Sequence, residues 1–104
     1  MQVRRGNIVV VNLNPTQGSE QKGTDRPCVV IQNNTGNKYS PTTIIAPLTT
    51  KYDSDEVYPF EVELLSANTC LDHDSVVDLS QIRVVDVGKR VDRKIGKVPE
   101  SRMA

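Results

Sequence analysis

Short runs of β-branched residues, separated by turns rich in Gly, Pro and Asn, constrain this chain more than any other feature. Ile8-Val9-Val10-Val11-Asn12-Leu13 and Cys28-Val29-Val30-Ile31-Gln32 are too apolar and too short for amphipathic helices, and read as strands. Thr42-Thr43-Ile44-Ile45-Ala46 reads as a third strand, ending at Pro47-Leu48-Thr49. Phe60 to Leu64 alternates apolar and polar, as a half-buried strand does. Ser75 to Leu79 and Ile82 to Val87 complete the set. Asn14-Pro15-Thr16-Gln17-Gly18 and Gly23-Thr24-Asp25 bracket a long loop, and Asn33-Asn34-Thr35-Gly36-Asn37 opens a turn. Strands at short spacing with such turns predict a mainly β sandwich or small barrel.

At 104 residues the chain predicts one domain, residues 1–104. The apolar fraction of 37% allows only a modest core, one that a subunit interface would help complete. Thirteen basic residues balance thirteen acidic ones, which excludes nucleic-acid binding through bulk charge. Any grip on nucleic acid must be local. The run from Ile8 stops at Asn12, too short for a signal peptide's apolar region, and no stretch of about 18 apolar residues exists. A cytoplasmic protein without membrane contact is expected. Cys28 and Cys70 lack metal-site spacing, and Cys28 inside its apolar run reads as a buried, reduced thiol.

Familiar catalytic constellations are missing. The single histidine, His73, lies in a charged turn, Leu71-Asp72-His73-Asp74, so no pair of histidines can serve within one chain. Asp53, Asp55 and Glu56 lack the rest of a calcium loop and read as a solvated acidic loop, so neither metal nor cofactor is expected. The polar loop Gly18 to Pro27 remains. Pro27 fixes its own φ and pushes Arg26 toward an extended conformation, setting the guanidinium at the start of a strand. Thr49 and Thr50 stand where another strand ends. If those strands are neighbours, Arg26 and Thr49 converge on one pocket.

The motifs Gly6 to Pro15, Gly18-Ser19-Glu20-Gln21, Gly23-Thr24 and Arg26-Pro27 with Val29 to Asn33 resemble the MazF/PemK toxins. Gly36 to Thr42, Ala46-Pro47-Leu48-Thr49 and Asp74 to Val77 leading to Gln81-Ile82-Arg83 match in order and spacing. The resemblance spans about residues 4 to 100. It implies an SH3-like barrel with short helical segments, a homodimer and a sequence-specific, metal-independent endoribonuclease acting on single-stranded RNA. It also implies a cognate antitoxin as partner, and no DNA binding by the toxin alone. Arg26 and Thr49 carry over as the catalytic pair. Ser19, Glu20 and Gln21 carry over as the loop shaping the site, Glu20 being the best carboxylate for a general base. Thr50 and Gln81 are expected to contact RNA.

Three departures qualify this. Asp25 is an extra residue before Arg26-Pro27, able either to pair with Arg26 or to lengthen the loop. An Arg and an Asp found two apart in some relatives are replaced by Asp78 and Ser80. The family's C-terminal helix is longer than the helix start at Val98-Pro99-Glu100-Ser101, so a truncated helix is expected here. A dimer would then rest on the Ile82 to Val87 strand and the Val91 to Val98 segment. Two rivals remain: a same-fold toxin that binds a protein target such as gyrase, and an SH3-like interaction module. The latter needs an aromatic groove, for which four aromatic residues dispersed along the chain are a poor basis.

Overall fold

Strands β1 (Asn7–Val11), β2 (Arg26–Val30) and β3 (Thr42–Thr49) form the centre of the sheet, because each carries apolar residues on both faces. The computed structural model describes residues 1–103 except Thr16, Glu20 and Gln21. Helix α1 (Asn34–Tyr39) follows β2, and β4 (Glu61–Leu64) and β5 (Ser75–Asp78) follow β3. The chain ends with β6 (Arg83–Asp86), α2 (Val87–Arg90), β7 (Val91–Lys97) and α3 (Glu100–Met103).

Alternation along the central strands divides their side chains between two cores. Val9, Val11, Cys28, Val30 and Ile45 join Val3, Leu13, Val85 and Val91 on one side. Ile8, Val29, Ala46 and Leu48 join Leu64, Val77 and Val98 on the other. Burial on both faces is why these strands read as continuous apolar runs.

The sheet is antiparallel, in the order β4-β5-β3-β2-β1-β7, with β6 paired to β3 off this path. Mainly β structure with short helices is as expected, but closure into a barrel is not. Among the described residues, no pairing joins β4 or β6 to β7. The reason lies in β3, whose one edge pairs with β6 over Thr42 to Ile45 and with β5 over Leu48 and Thr49. The sheet therefore forks instead of continuing round. Pro47 sits at the fork, opposite Cys28. No ladder donor is needed from it there.

Two elements differ from the expected loops. The Asn33 side chain accepts from the Gly36 amide at 2.8 Å and caps α1, so the Asn- and Gly-bearing segment is a helix. Its buried Asn37 accepts from the Thr43 hydroxyl at 2.6 Å and donates to the Gln32 carbonyl at 2.9 Å. The second is β7, a charged edge strand whose pairing with β1 shifts register twice. Lysines and irregular pairing on an edge discourage a further strand from adding.

Candidate functional site

The register of β2 with β3 builds the site. Cys28 faces Pro47, and carrying that antiparallel register two residues further sets Arg26 opposite Thr49. Arg26 is the first residue of β2 rather than part of the loop before it. Its Nη2 donates to the Leu48 carbonyl at 2.9 Å, drawing the half-buried guanidinium alongside Thr49. Thr49 Oγ1 accepts from the Lys51 amide at 3.1 Å, which turns the chain and leaves the hydroxyl proton to donate elsewhere. Both side chains line an open cleft of about 690 Å³.

Gly23 makes room for this arrangement. Its φ is +134°, and a Cβ there would lie 2.8 Å from Arg26 Cδ and 2.9 Å from Cγ. A side chain at 23 would thus be strained and would displace the arginine stem. The base of the loop is tied to the body by several bonds. The Leu13 amide donates to the Gly23 carbonyl at 2.8 Å. Arg83 Nη1 donates to the Leu13 carbonyl at 3.0 Å, and Arg90 Nη1 to the carbonyls of Asn12 and Asn14 at 3.1 and 2.6 Å.

Of the other expected site residues, Ser19 and Thr50 line the same cleft. Gln81 donates to the Ser19 carbonyl at 3.3 Å, joining the turn after β5 to the loop. Glu20 and Gln21 lie outside the described residues. Asp25 is exposed, and the ion pair seen among the described residues joins Arg93 to Asp92.

Comparison with known proteins identifies the family. Residues 4–104 match the family described as PemK-like, MazF-like toxin of type II toxin-antitoxin system. The chain belongs to this toxin family. It is 46% identical over 101 residues to the Endoribonuclease MazF of Staphylococcus epidermidis, covering 97% of this chain and 82% of that one. Its fold is similar to that of MazF from Deinococcus radiodurans, with a TM-score of 0.79 at 24% identity over 99% of this chain and 87% of the other. Mycobacterium tuberculosis toxin MazF-mt6 gives 0.72 at 22% identity, over 92% and 83% of the two chains.

Three charged residues of this toxin's cleft were missed in the sequence, Lys22, Lys51 and Glu61, and Asp78, noted there only as a departure from relatives, lines it too. Glu61 and Asp78 are register partners on β4 and β5, so the second wall exists only once β5 lies between β3 and β4. Asp78 accepts from the amide and hydroxyl of Ser80 at 3.0 and 2.5 Å, and Glu61 accepts from the Tyr58 amide at 3.0 Å. The lysines gave no signal beyond their position in polar loops.

Behind the cleft, Cys28 is fully buried, as its apolar run implied. Burial pushes its thiol up to about 12, against the opposing pull of Arg26 and Arg83. His73 and the acids Asp53, Asp55 and Glu56 are exposed, and Asp53 caps its own turn by accepting from the Asp55 amide at 2.9 Å. Among the described residues, no three His, Cys, Asp or Glu side chains form a group able to hold a metal. No described helix is long and apolar enough to cross a membrane.

Proposed function

We propose that this toxin cuts single-stranded RNA at a short sequence, using the substrate's own 2′-hydroxyl as nucleophile. The convergence of Arg26 and Thr49 from adjacent strands onto one open cleft is the observation that carries this reading. The 2′-oxygen attacks phosphorus, its proton passes to a base, and the bond from phosphorus to the 5′-oxygen breaks. A proton then reaches the departing 5′-oxygen. The products are a 2′,3′-cyclic phosphate and a 5′-hydroxyl.

Arg26 suits the charge that builds on the phosphoryl oxygens, because a guanidinium presents parallel donors in a fixed fork. Thr49 adds a neutral donor beside it. Lys22 and Lys51 raise the positive potential locally in a chain with no net charge, which answers the requirement for a local grip. Glu20 remains the proposed general base, with Glu61 and Asp78 as further carboxylates on the cleft wall. Arg26 stays protonated throughout and acts as a clamp, not as an acid. Ser19, Gln21, Thr50 and Gln81 contact the bases and sugars around the cut.

The reading extends to a cytoplasmic homodimer, each chain one domain spanning residues 1–104, held inactive by a cognate antitoxin and not binding DNA alone. Sequencing the RNA ends left by purified protein tests the chemistry. Cyclic phosphate and 5′-hydroxyl ends, undiminished by EDTA, are expected. A substrate with a 2′-deoxynucleotide before the scissile phosphate should bind but stay intact. Cutting of that deoxy substrate, or failure to cut any RNA, would overturn the proposal.

A further inference from the structure

We infer that Tyr58 and Phe60 form a stacking subsite for one unpaired base of the RNA, next to the scissile position; this rests on the reading of the cleft as an RNA-cleaving site. The two rings lie 5.4 Å apart between centroids with planes 5° from parallel, an offset stack. Both are exposed, Tyr58 at 56% and Phe60 at 43% of their surface, so the stack is not enclosed by the protein. Neither ring lines the cleft itself; they are joined to it through Glu61, which does, and together they make a contiguous apolar patch of the kind that marks a binding surface.

The turn that carries the rings is rigid. Tyr58-Pro59-Phe60-Glu61 is closed by the Glu61 amide donating to the Tyr58 carbonyl at 2.9 Å, with Pro59 in its second position. The Glu61 carboxylate then accepts from the Tyr58 amide at 3.0 Å. A further bond, from the Leu79 amide to the Phe60 carbonyl at 2.9 Å, fastens the turn to the end of β5. The stack therefore exists before any ligand arrives, and little ordering is required on binding.

Position selects a base as the occupant. Glu61 and Asp78, the immediate neighbours of Phe60 and Leu79, both line the cleft that holds Arg26 and Thr49. By the registers Thr49 with Val76 and Val76 with Glu63, two strand spacings separate Thr49 from β4. With two residues of rise, that is about 12 Å across the sheet surface to Glu61, and the rings lie one to three residues beyond it. Such a separation suits a neighbouring nucleotide, not the one being cut. Single-stranded RNA offers bases free to stack on aromatic faces, and a two-ring platform extends such a stack.

The experiment uses the whole chain and an RNA oligonucleotide containing a cut site found by end sequencing. Phe60→Ala is expected to lower kcat/KM by about 10- to 100-fold, the range for losing one stacked base. Phe60→Trp, which keeps a flat face, should retain activity. Replacing one flanking nucleotide of the RNA with an abasic one should reproduce the loss, and on that RNA Phe60→Ala should cost nothing further. Tyr58→Trp supplies the chain's sole tryptophan, whose fluorescence should be quenched by the oligonucleotide. Wild-type protein that cuts no RNA removes the activity, whereas quenching without cutting would still uphold the subsite. Equal kcat/KM for wild type and Phe60→Ala overturns the subsite alone. So do additive losses at every abasic position, or a changed oligomeric state in Phe60→Ala with unaltered RNA affinity, which would assign the rings to a protein contact.

Discussion

Two loops meet at the cleft and are held in different ways. The loop from β1 to β2 is fixed from outside, by Arg83 and Arg90 gripping its backbone carbonyls and by Gln81 reaching Ser19. These partners lie about 60 to 80 residues away in sequence, on β6, α2 and the turn after β5. The loop from β3 to β4 is fixed mainly from within. Its bonds are mostly local turns, Glu56 to Asp53 and Glu61 to Tyr58, with two longer ties, from the Tyr52 hydroxyl to Glu63 at 2.7 Å and from the Leu79 amide to the Phe60 carbonyl at 2.9 Å. The first arrangement makes the position of Arg26 depend on the whole fold. The second lets the side chains of the β3–β4 turn change without disturbing that position. The Arg26 side of the cleft is thus tied to distant parts of the fold, and the Tyr58 turn mainly to its own strand and the end of β5.

The largest effects should follow from breaking the first arrangement at its centre. Arg26→Ala is expected to lower kcat by about 10²–10³ with melting unchanged within a few degrees, as for other lost transition-state donors. Arg26→Lys should restore only part, since an ammonium cannot make the paired contact. Gly23→Ala should come close to the first variant, at about 10², because its methyl takes the space of the Arg26 stem and a small misplacement is costly. A Gly23→Ala protein as active as wild type would show that the loop yields, and the contrast between the loops would fail. Thr49→Ala should lose less than either arginine variant, as a neutral donor contributes less than a charged one.

A smaller effect should come from the staples. Arg90→Met keeps an apolar stem but removes the donors to Asn12 and Asn14, at a cost of about 1–2 kcal/mol in denaturant unfolding. It should also reduce kcat by roughly tenfold through a loosened Arg26 loop. Tyr52→Phe, the corresponding change in the other loop, should leave kcat within about twofold. If Tyr52→Phe lowered kcat more than Arg90→Met, the assignment of chemistry to the anchored loop would be reversed.

How much of this was written in the sequence follows the same division. The central strands were legible because burial on both faces leaves uninterrupted apolar runs. Arg26 and Thr49 were legible because Pro27 and Pro47 mark strand positions and the family motifs recur in order. Strand β7 was not, since Asp92, Arg93, Lys94 and Lys97 give an edge strand the composition of a loop. Helix α1 was hidden by Gly36 and three asparagines, although Asn33 was a capping residue in plain view. The second wall of the cleft depends on β5 pairing with both β3 and β4, a long-range choice no local pattern encodes. The forked sheet, and the meeting of Tyr58 with Phe60 across one proline turn, likewise arise only on folding.

The smallest effect separates the two loops by pH. Each region carries one group pushed up to about 12. Cys28 is raised from 9.0 by burial behind the anchored loop. Tyr52 is raised from 10.0 by loss of water, by its hydrogen bond to Glu63, and by the charges of Glu63 and Asp74. Both are acids whose folded form holds its proton more tightly than the unfolded form. Their contribution to stability is therefore complete below the unfolded value and falls as pH rises toward the folded one. The windows differ: from 9 to 12 for Cys28, and from 10 to 12 for Tyr52. At pH 10, one pH unit above its unfolded value, Cys28 alone should cost on the order of 1 kcal/mol relative to pH 8. Urea unfolding of wild type at the two pH values measures this difference. Cys28→Ala, less stable at both because of its cavity, should lose most of the pH 8 to 10 difference, whereas Tyr52→Phe should keep it. Above pH 10 Tyr52→Phe should flatten the curve only slightly, because the phenol lies near the surface and its charge is screened by water. An unchanged slope in Cys28→Ala would mean that the thiol behind Arg26 reaches water, and that the anchored side of the cleft is as open as the other.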